Sequence, residues 1–102
     1  LDFITLINEQ FCVLDGAMGT MLQSEGLKAG ELPEVWNVER PGIVSSVHRR
    51  YLDAGAQVVT TNTFGGSPLK LRMSGREDIL EEANLGGARA ARKAVDEFPQ
   101  AG

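Results

Sequence analysis

Two short stretches hold the residues best suited to chemistry. The first is Asp15-Gly16-Ala17-Met18-Gly19-Thr20, directly after the apolar run Phe11-Cys12-Val13-Leu14. The second is Thr61-Asn62-Thr63-Phe64-Gly65-Gly66, closing a β-branched run that starts at Gln57. Where strands alternate with helices, functional groups gather at strand ends and in the loops that follow. A carboxylate such as Asp15 accepts hydrogen bonds from an ammonium group. Gly16 and Ala17 are small enough to let a ligand approach the backbone. A helix beginning near Met18 would present free N–H groups to an anion such as a carboxylate. An acidic acceptor beside backbone donors is what an α-amino-acid zwitterion needs. The same Asp15-Gly16 pair also suits a plain strand-ending turn, and both readings stand on these residues. The spacing is neither GxGxxG nor a Walker loop, which argues against a nucleotide phosphate.

In the second stretch, strand alternation puts Val59, Thr61 and Thr63 on one side. A polar tip on an apolar strand suits a pocket mouth, although threonine is also an ordinary strand residue. The other reactive types read as structural. His48 sits beside an apolar helical stripe, and Cys12 reads as a buried thiol. Met18, Met21 and Met73 read as core fillers, and Trp36 as packing over a strand end or lid. Arg49-Arg50 and Glu81-Glu82 read as solvated faces.

The elements that would position these groups follow from periodicity. Residues 2–9 carry Phe3, Leu6 and Ile7 at helical spacing, with Asp2 as N-cap. Residues 11–14 read as a strand covered on both faces. One or two helical turns follow over 17–23, and 26–40 is loop-like. Pro41 opens a helix whose stripe is Ile43, Val44, Val47, Tyr51 and Leu52, stopped by Gly55. Residues 57–64 read as a second strand. A short turn of helix spans 69–73, and a long helix spans 77–98, its glycines allowing close packing on a sheet. Helix, strand, helix, strand, helix implies an α/β fold with parallel strands and right-handed crossovers. Two strands are too few for a sheet of their own.

Composition narrows the class. The 102 residues are 42% hydrophobic and 24% charged, as in an ordinary soluble globular segment. Ten Lys/Arg against 14 Asp/Glu, net −4, leave no basic footprint for nucleic acid. No apolar run approaches the ~20 residues of a membrane span, and the first residues lack a signal peptide's basic region. One cysteine and one histidine exclude an internal disulfide and do not encode a complete zinc site. A reducing, cytoplasmic setting fits this usage.

Taken together, several stretches resemble the homocysteine S-methyltransferase family. Val13-Leu14-Asp15-Gly16-Ala17-Met18-Gly19-Thr20-Met21-Leu22-Gln23 resembles its first strand and loop. Glu34-Val35-Trp36-Asn37 resembles its E-x-W-N element. Pro41, Val44, His48, Tyr51, Leu52 and Ala54-Gly55-Ala56 resemble the helix and turn before its second strand. Thr61-Asn62-Thr63-Phe64-Gly65 resembles the end of that strand, and Asn84 with the Ala/Arg-rich helix after it is similar too. The resemblance implies a TIM (β/α)8 barrel, which needs roughly 250 residues. Residues 1–102 would then be the incomplete N-terminal part: the first two βα units, with a short helix before the first strand.

It also implies methyl transfer to the zinc-bound thiol of homocysteine, giving methionine. The donor would be methylcobalamin, carried by a cobalamin-binding module of the full protein, or a small methyl compound. Asp15 would contact the substrate amino group. Backbone N–H groups around Gly16 and Ala17 would hold its carboxylate, and Thr61 and Thr63 would line the pocket mouth. The family's zinc cysteines have no counterpart here, so the chain alone is expected to be inactive. The alternative is a stand-alone, non-enzymatic α/β module that oligomerises to complete its sheet and binds an amino acid or nothing.

Overall fold

The computed structural model describes residues 16–98. Backbone conformation starts with Ala17, extended at φ −71° and ψ 124°, which turns into helix α1 (Met18–Ser24). A 3-10 turn (Pro33–Val35) then leads directly into α2 (Trp36–Glu39) and α3 (Pro41–Asp53). After an irregular segment comes α4 (Pro68–Met73). A second 3-10 turn (Glu77–Ile79) then runs into the long α5 (Leu80–Glu97).

The expected boundaries of α3 hold because their causes are local. Pro41 stands in the first turn, where its missing N–H has no intrahelical partner to lose. At the other end Gly55 takes φ +109°, a conformation costly for any residue with a Cβ. That lets Ala56 N–H reach Tyr51 O at 2.9 Å and Gly55 N–H reach Leu52 O at 3.1 Å, the Schellman closure. The same closure ends α1 at Gly26 and α4 at Gly75. In α1 it also brings Leu27 onto Leu22, and both are buried in one cluster. Ser67 caps α4 by accepting from Lys70 N–H at 3.2 Å.

The α/β expectation is overturned. Among the described residues there is no strand, and the architecture is helical. The stretch expected as a second strand, 57–64, carries a single β-bridge at Val58 and no ladder. Strand propensity records how well a side chain fits a pleated surface beside neighbouring strands, and it does not extend a backbone by itself. Towards its end the backbone closes two turns among the described residues. Thr63 N–H donates to Thr61 O at 2.9 Å, and Gly66 N–H to Thr63 O at 3.0 Å. Two βα units are therefore not what these residues build. The first expected helix (2–9) and strand (11–14), with Cys12, lie outside the described residues. Two smaller expectations fail as well. The 26–40 stretch is not a loop throughout, and Met73 is 79% exposed rather than a core filler.

Side-chain amides do the joining. Asn37 Nδ2 donates to Asn62 O at 2.6 Å and to Ala83 O at 2.8 Å. Asn62 Nδ2 donates to Pro33 O and to Asn37 Oδ1, both at 3.0 Å. Asn84 Nδ2 donates to Gly66 O at 2.8 Å and Leu80 O at 2.7 Å. Both Asn37 and Asn62 are buried, so the bonds form away from competing water. α5 reaches this hub because Gly86 and Gly87 present no side chain. A Cβ at Gly86 would stand 2.5 Å from Asn37 O, and one at Gly87 2.8 Å from Thr63 Cγ2.

Apolar packing completes the fold. Leu22, Leu27, Trp36, Val44, Val47 and Ala90 form one cluster, so α1, α2, α3 and α5 share it. Leu71, Ile79 and Ala83 form a second one beneath α4. His48 is fully buried on α3, as its place beside the stripe suggests. The Arg40 guanidinium lies 5.2 Å from the Trp36 ring centre.

Asn37→Ala should lower stability by about 3 kcal/mol, because the buried Asn62 loses both the donor to its carbonyl and an acceptor for its amide. Urea unfolding measures this. Gly87→Ala should cost about 1–3 kcal/mol by overpacking, despite alanine's better helix propensity. Gly42→Ala, which meets open space, should instead gain up to about 1 kcal/mol.

Candidate functional site

A cavity of about 510 Å³ lies where three segments converge. Gly16, Met18 and Gly19 come from the start of α1. Leu32, Pro33 and Glu34 come from the first 3-10 turn. Residues 60–65 form the third wall, with Lys70 of α4 beside them.

Each wall is held by a specific contact. The α1 side is tied to α3 through Tyr51, whose hydroxyl donates to Ala17 O at 3.0 Å. Gly16 lies against the same ring, so closely that a Cβ there would be 2.8 Å from the Tyr51 oxygen. The 60–65 wall is fixed by Asn62, which reaches across to Pro33 O and Asn37. Along it, Thr61 Oγ1 and Thr63 Oγ1 share a hydrogen bond of 2.8 Å.

Glu34 is the unusual member. Its residue is only 4% exposed, and its Oε1 has no hydrogen-bond partner among the described residues. Buried Gly65 faces it, and a Cβ there would collide with the Glu34 carboxyl and with Leu32 Cδ2. Glu34 and Lys70 are the charged residues among the cavity's described lining. The Lys70 ammonium stands 3.9 Å from the centre of the exposed Phe64 ring. Away from the cavity, Arg76 bridges Glu39 and Asp78. Its pKa is raised, chiefly by the Glu39 hydrogen bond, so the guanidinium stays charged.

Of the five residues expected at the site, Gly16, Thr61 and Thr63 line this one cavity. Ala17 is adjacent but outside the lining, with its carbonyl engaged by Tyr51. Asp15 lies outside the described residues. Sequence reasoning missed Glu34 and Lys70. The signal for Glu34 was present: a carboxylate between Pro33 and the apolar pair Val35-Trp36 is a poor candidate for a solvated face. Lys70 gave no such signal.

Zinc does not fit the described residues. Among them no three or more His, Cys, Asp or Glu side chains converge on a position that could hold a metal. No helix among the described residues is long and apolar enough to cross a membrane.

Comparison with known proteins follows the same residues. Residues 12–101 match the family model described as homocysteine S-methyltransferase. A methionine synthase of Mycobacterium tuberculosis is 33% identical over 95% of this chain, and one of Mycobacterium leprae is 34% identical over the same share. The chain spans 9% and 8% of those two proteins' lengths. The crystal structure of the homocysteine methyltransferase MmuM from Escherichia coli, in metallated form, superposes with a TM-score of 0.69 at 29% identity. It covers 96% of this chain, which spans 37% of that one.

The Tyr51 tether predicts a local effect. Tyr51→Phe should cost about 1 kcal/mol in urea unfolding. It should also speed amide exchange at 18–20 more than in the middle of α5. Uniform exchange along the chain would show that the tether holds nothing in place.

Proposed function

The chain belongs to the homocysteine S-methyltransferase family, and from that premise we propose that its cavity takes the amino-acid end of homocysteine. In this reading the cavity is part of the substrate pocket of a methyltransferase that makes methionine. Asp15 receives the ammonium group. Backbone N–H groups at Gly16 and Ala17 hold the carboxylate, and Thr61 and Thr63 flank it. The observation that carries the reading is the convergence of Gly16, Thr61 and Thr63 on one cavity from positions some 45 residues apart.

The reaction attaches a methyl group to the homocysteine sulfur, which gives up its proton. The described residues contribute binding and orientation to that step and no group that would activate the thiol. A zinc ion supplies thiolate stabilisation where it is bound. Its ligands, like a cobalamin-binding module or another methyl donor, belong to the rest of a longer protein in this proposal. The chain by itself is therefore expected to bind without turning over. Incubation with zinc, homocysteine and a methyl donor should yield no methionine.

Calorimetry tests the binding roles. L-homocysteine should bind the chain, and Asp15→Ala should weaken it by about tenfold through loss of a charge-assisted hydrogen bond. Thr61→Val should have a smaller effect, because one neutral hydroxyl is lost. Equal affinities for wild type and Asp15→Ala would remove the role assigned to Asp15.

A further inference from the structure

Five arginines of the described chain hold acidic side chains: Arg49, Arg50, Arg72, Arg76 and Arg92. Lys70 holds none among the described residues. Its ammonium stands 3.9 Å from the centre of the Phe64 ring instead. A ring face attracts a cation but carries no charge to cancel it. Lys70 and Phe64 are both exposed, and both line the cavity of about 510 Å³. The other charged residue of that lining, Glu34, is only 4% exposed, with Gly65 against its carboxyl. Among the described residues, the charge that the cavity offers an entering molecule is therefore the Lys70 ammonium.

The backbone fixes where that ammonium starts from. Ser67 accepts the Lys70 N–H as the cap of α4, and Leu71, the next residue, is fully buried. At the far end Arg76 N–H closes onto Leu71 O at 2.7 Å. The positions three and four away from Lys70 are Gly66, Ser67, Met73 and Ser74, so no neighbouring carboxylate on its own helix competes for it.

We propose that Lys70 is a ligand-binding residue whose ammonium takes the carboxylate of an amino acid entering the cavity. The proposal rests on reading the cavity as an amino-acid pocket. That reading gave the carboxylate neutral backbone donors, and Lys70 adds the opposite charge. The two oxygens of a carboxylate have acceptor sites for both kinds of donor. A lysine ammonium is a compact charge with three donors on a flexible stem, so it meets a carboxylate without one fixed geometry. Phe64 keeps it at the lining without neutralising it. The zwitterion is then matched at both ends, Asp15 to its ammonium and Lys70 to its carboxylate. A thiol of the same length that lacks the carboxylate gains nothing from Lys70.

The test uses the full chain, wild type, Lys70→Met and Lys70→Arg, in calorimetric titrations with three probes. L-homocysteine has amine, carboxylate and thiol. 4-Mercaptobutanoate lacks the amine, and 3-aminopropane-1-thiol lacks the carboxylate. Lys70→Met should weaken both carboxylate-bearing probes by about fivefold, as for an ion pair open to solvent, and bind 3-aminopropane-1-thiol no more weakly than wild type does. Lys70→Arg should restore most of the loss, and added salt should shrink the difference between wild type and Lys70→Met. If Lys70→Met weakens the carboxylate-bearing probes but wild type binds homocysteine no more tightly than 4-mercaptobutanoate, the amino-acid reading falls and the role of Lys70 stands. If Lys70→Met spares the carboxylate-bearing probes or weakens all three alike, Lys70 does not read the carboxylate, while a preference of wild type for homocysteine keeps the amino-acid reading. Absence of binding by both carboxylate-bearing probes overturns the proposal as well.

Discussion

One pair of side-chain amides, Asn37 and Asn62, decides how the rest of the structure is arranged. Between them they bond to backbone carbonyls of the first 3-10 turn, the 60–65 segment and α5, and to each other. Irregular backbone of this kind satisfies few of its own polar groups, so its position depends on such long-range partners. Asn84 repeats the device, holding the Gly66 carbonyl from α5 while also bonding within its own helix. Among the described residues, the cavity wall carrying Thr61 and Thr63 is thus tied to its neighbours through side-chain amides.

That arrangement constrains α5 in turn. For Ala83 O to meet the Asn37 amide, the helix must come closer than ordinary side chains allow, which is why Gly86 and Gly87 stand in its middle. Glycine costs helix stability there, roughly 1 kcal/mol per residue. Burial of Ala83, Ala90, Ala91 and Ala94 along the same face offsets it. The glycines that read from sequence as packing against a sheet lie against Asn37 of α2, the Asn62 carbonyl and the Thr63 methyl.

Helices were legible in the sequence, and the joints between them were not. Pro41, the Ile43–Leu52 spacing and Gly55 act within a few residues of one another, so their consequences can be read in order along the chain. Residues 57–64 show the opposite case. Val58, Val59, Thr60 and Thr61 favour extension, but a strand needs a ladder with a neighbouring backbone; among the described residues Thr63 N–H closes a turn onto Thr61 O, and the Asn62 carbonyl accepts from Asn37, 25 positions away. Two of the five expected site residues shared a cavity with Gly16 because the motif around each is short and ends in glycine. The apolar neighbours of Glu34 hinted at its burial, but its closeness to Gly65, 31 positions away, follows from no local pattern.

The sequence contains a single tryptophan, and it lies in α2, beside Asn37 and two positions from Glu34. Its indole is buried against Leu22, Val44 and Val47 with the Arg40 guanidinium near its face. Ultraviolet emission from this protein therefore originates at one known place, where the core meets the cavity wall. A shift in its colour reports solvent reaching that junction, and a change in intensity without a shift reports the guanidinium moving over the ring.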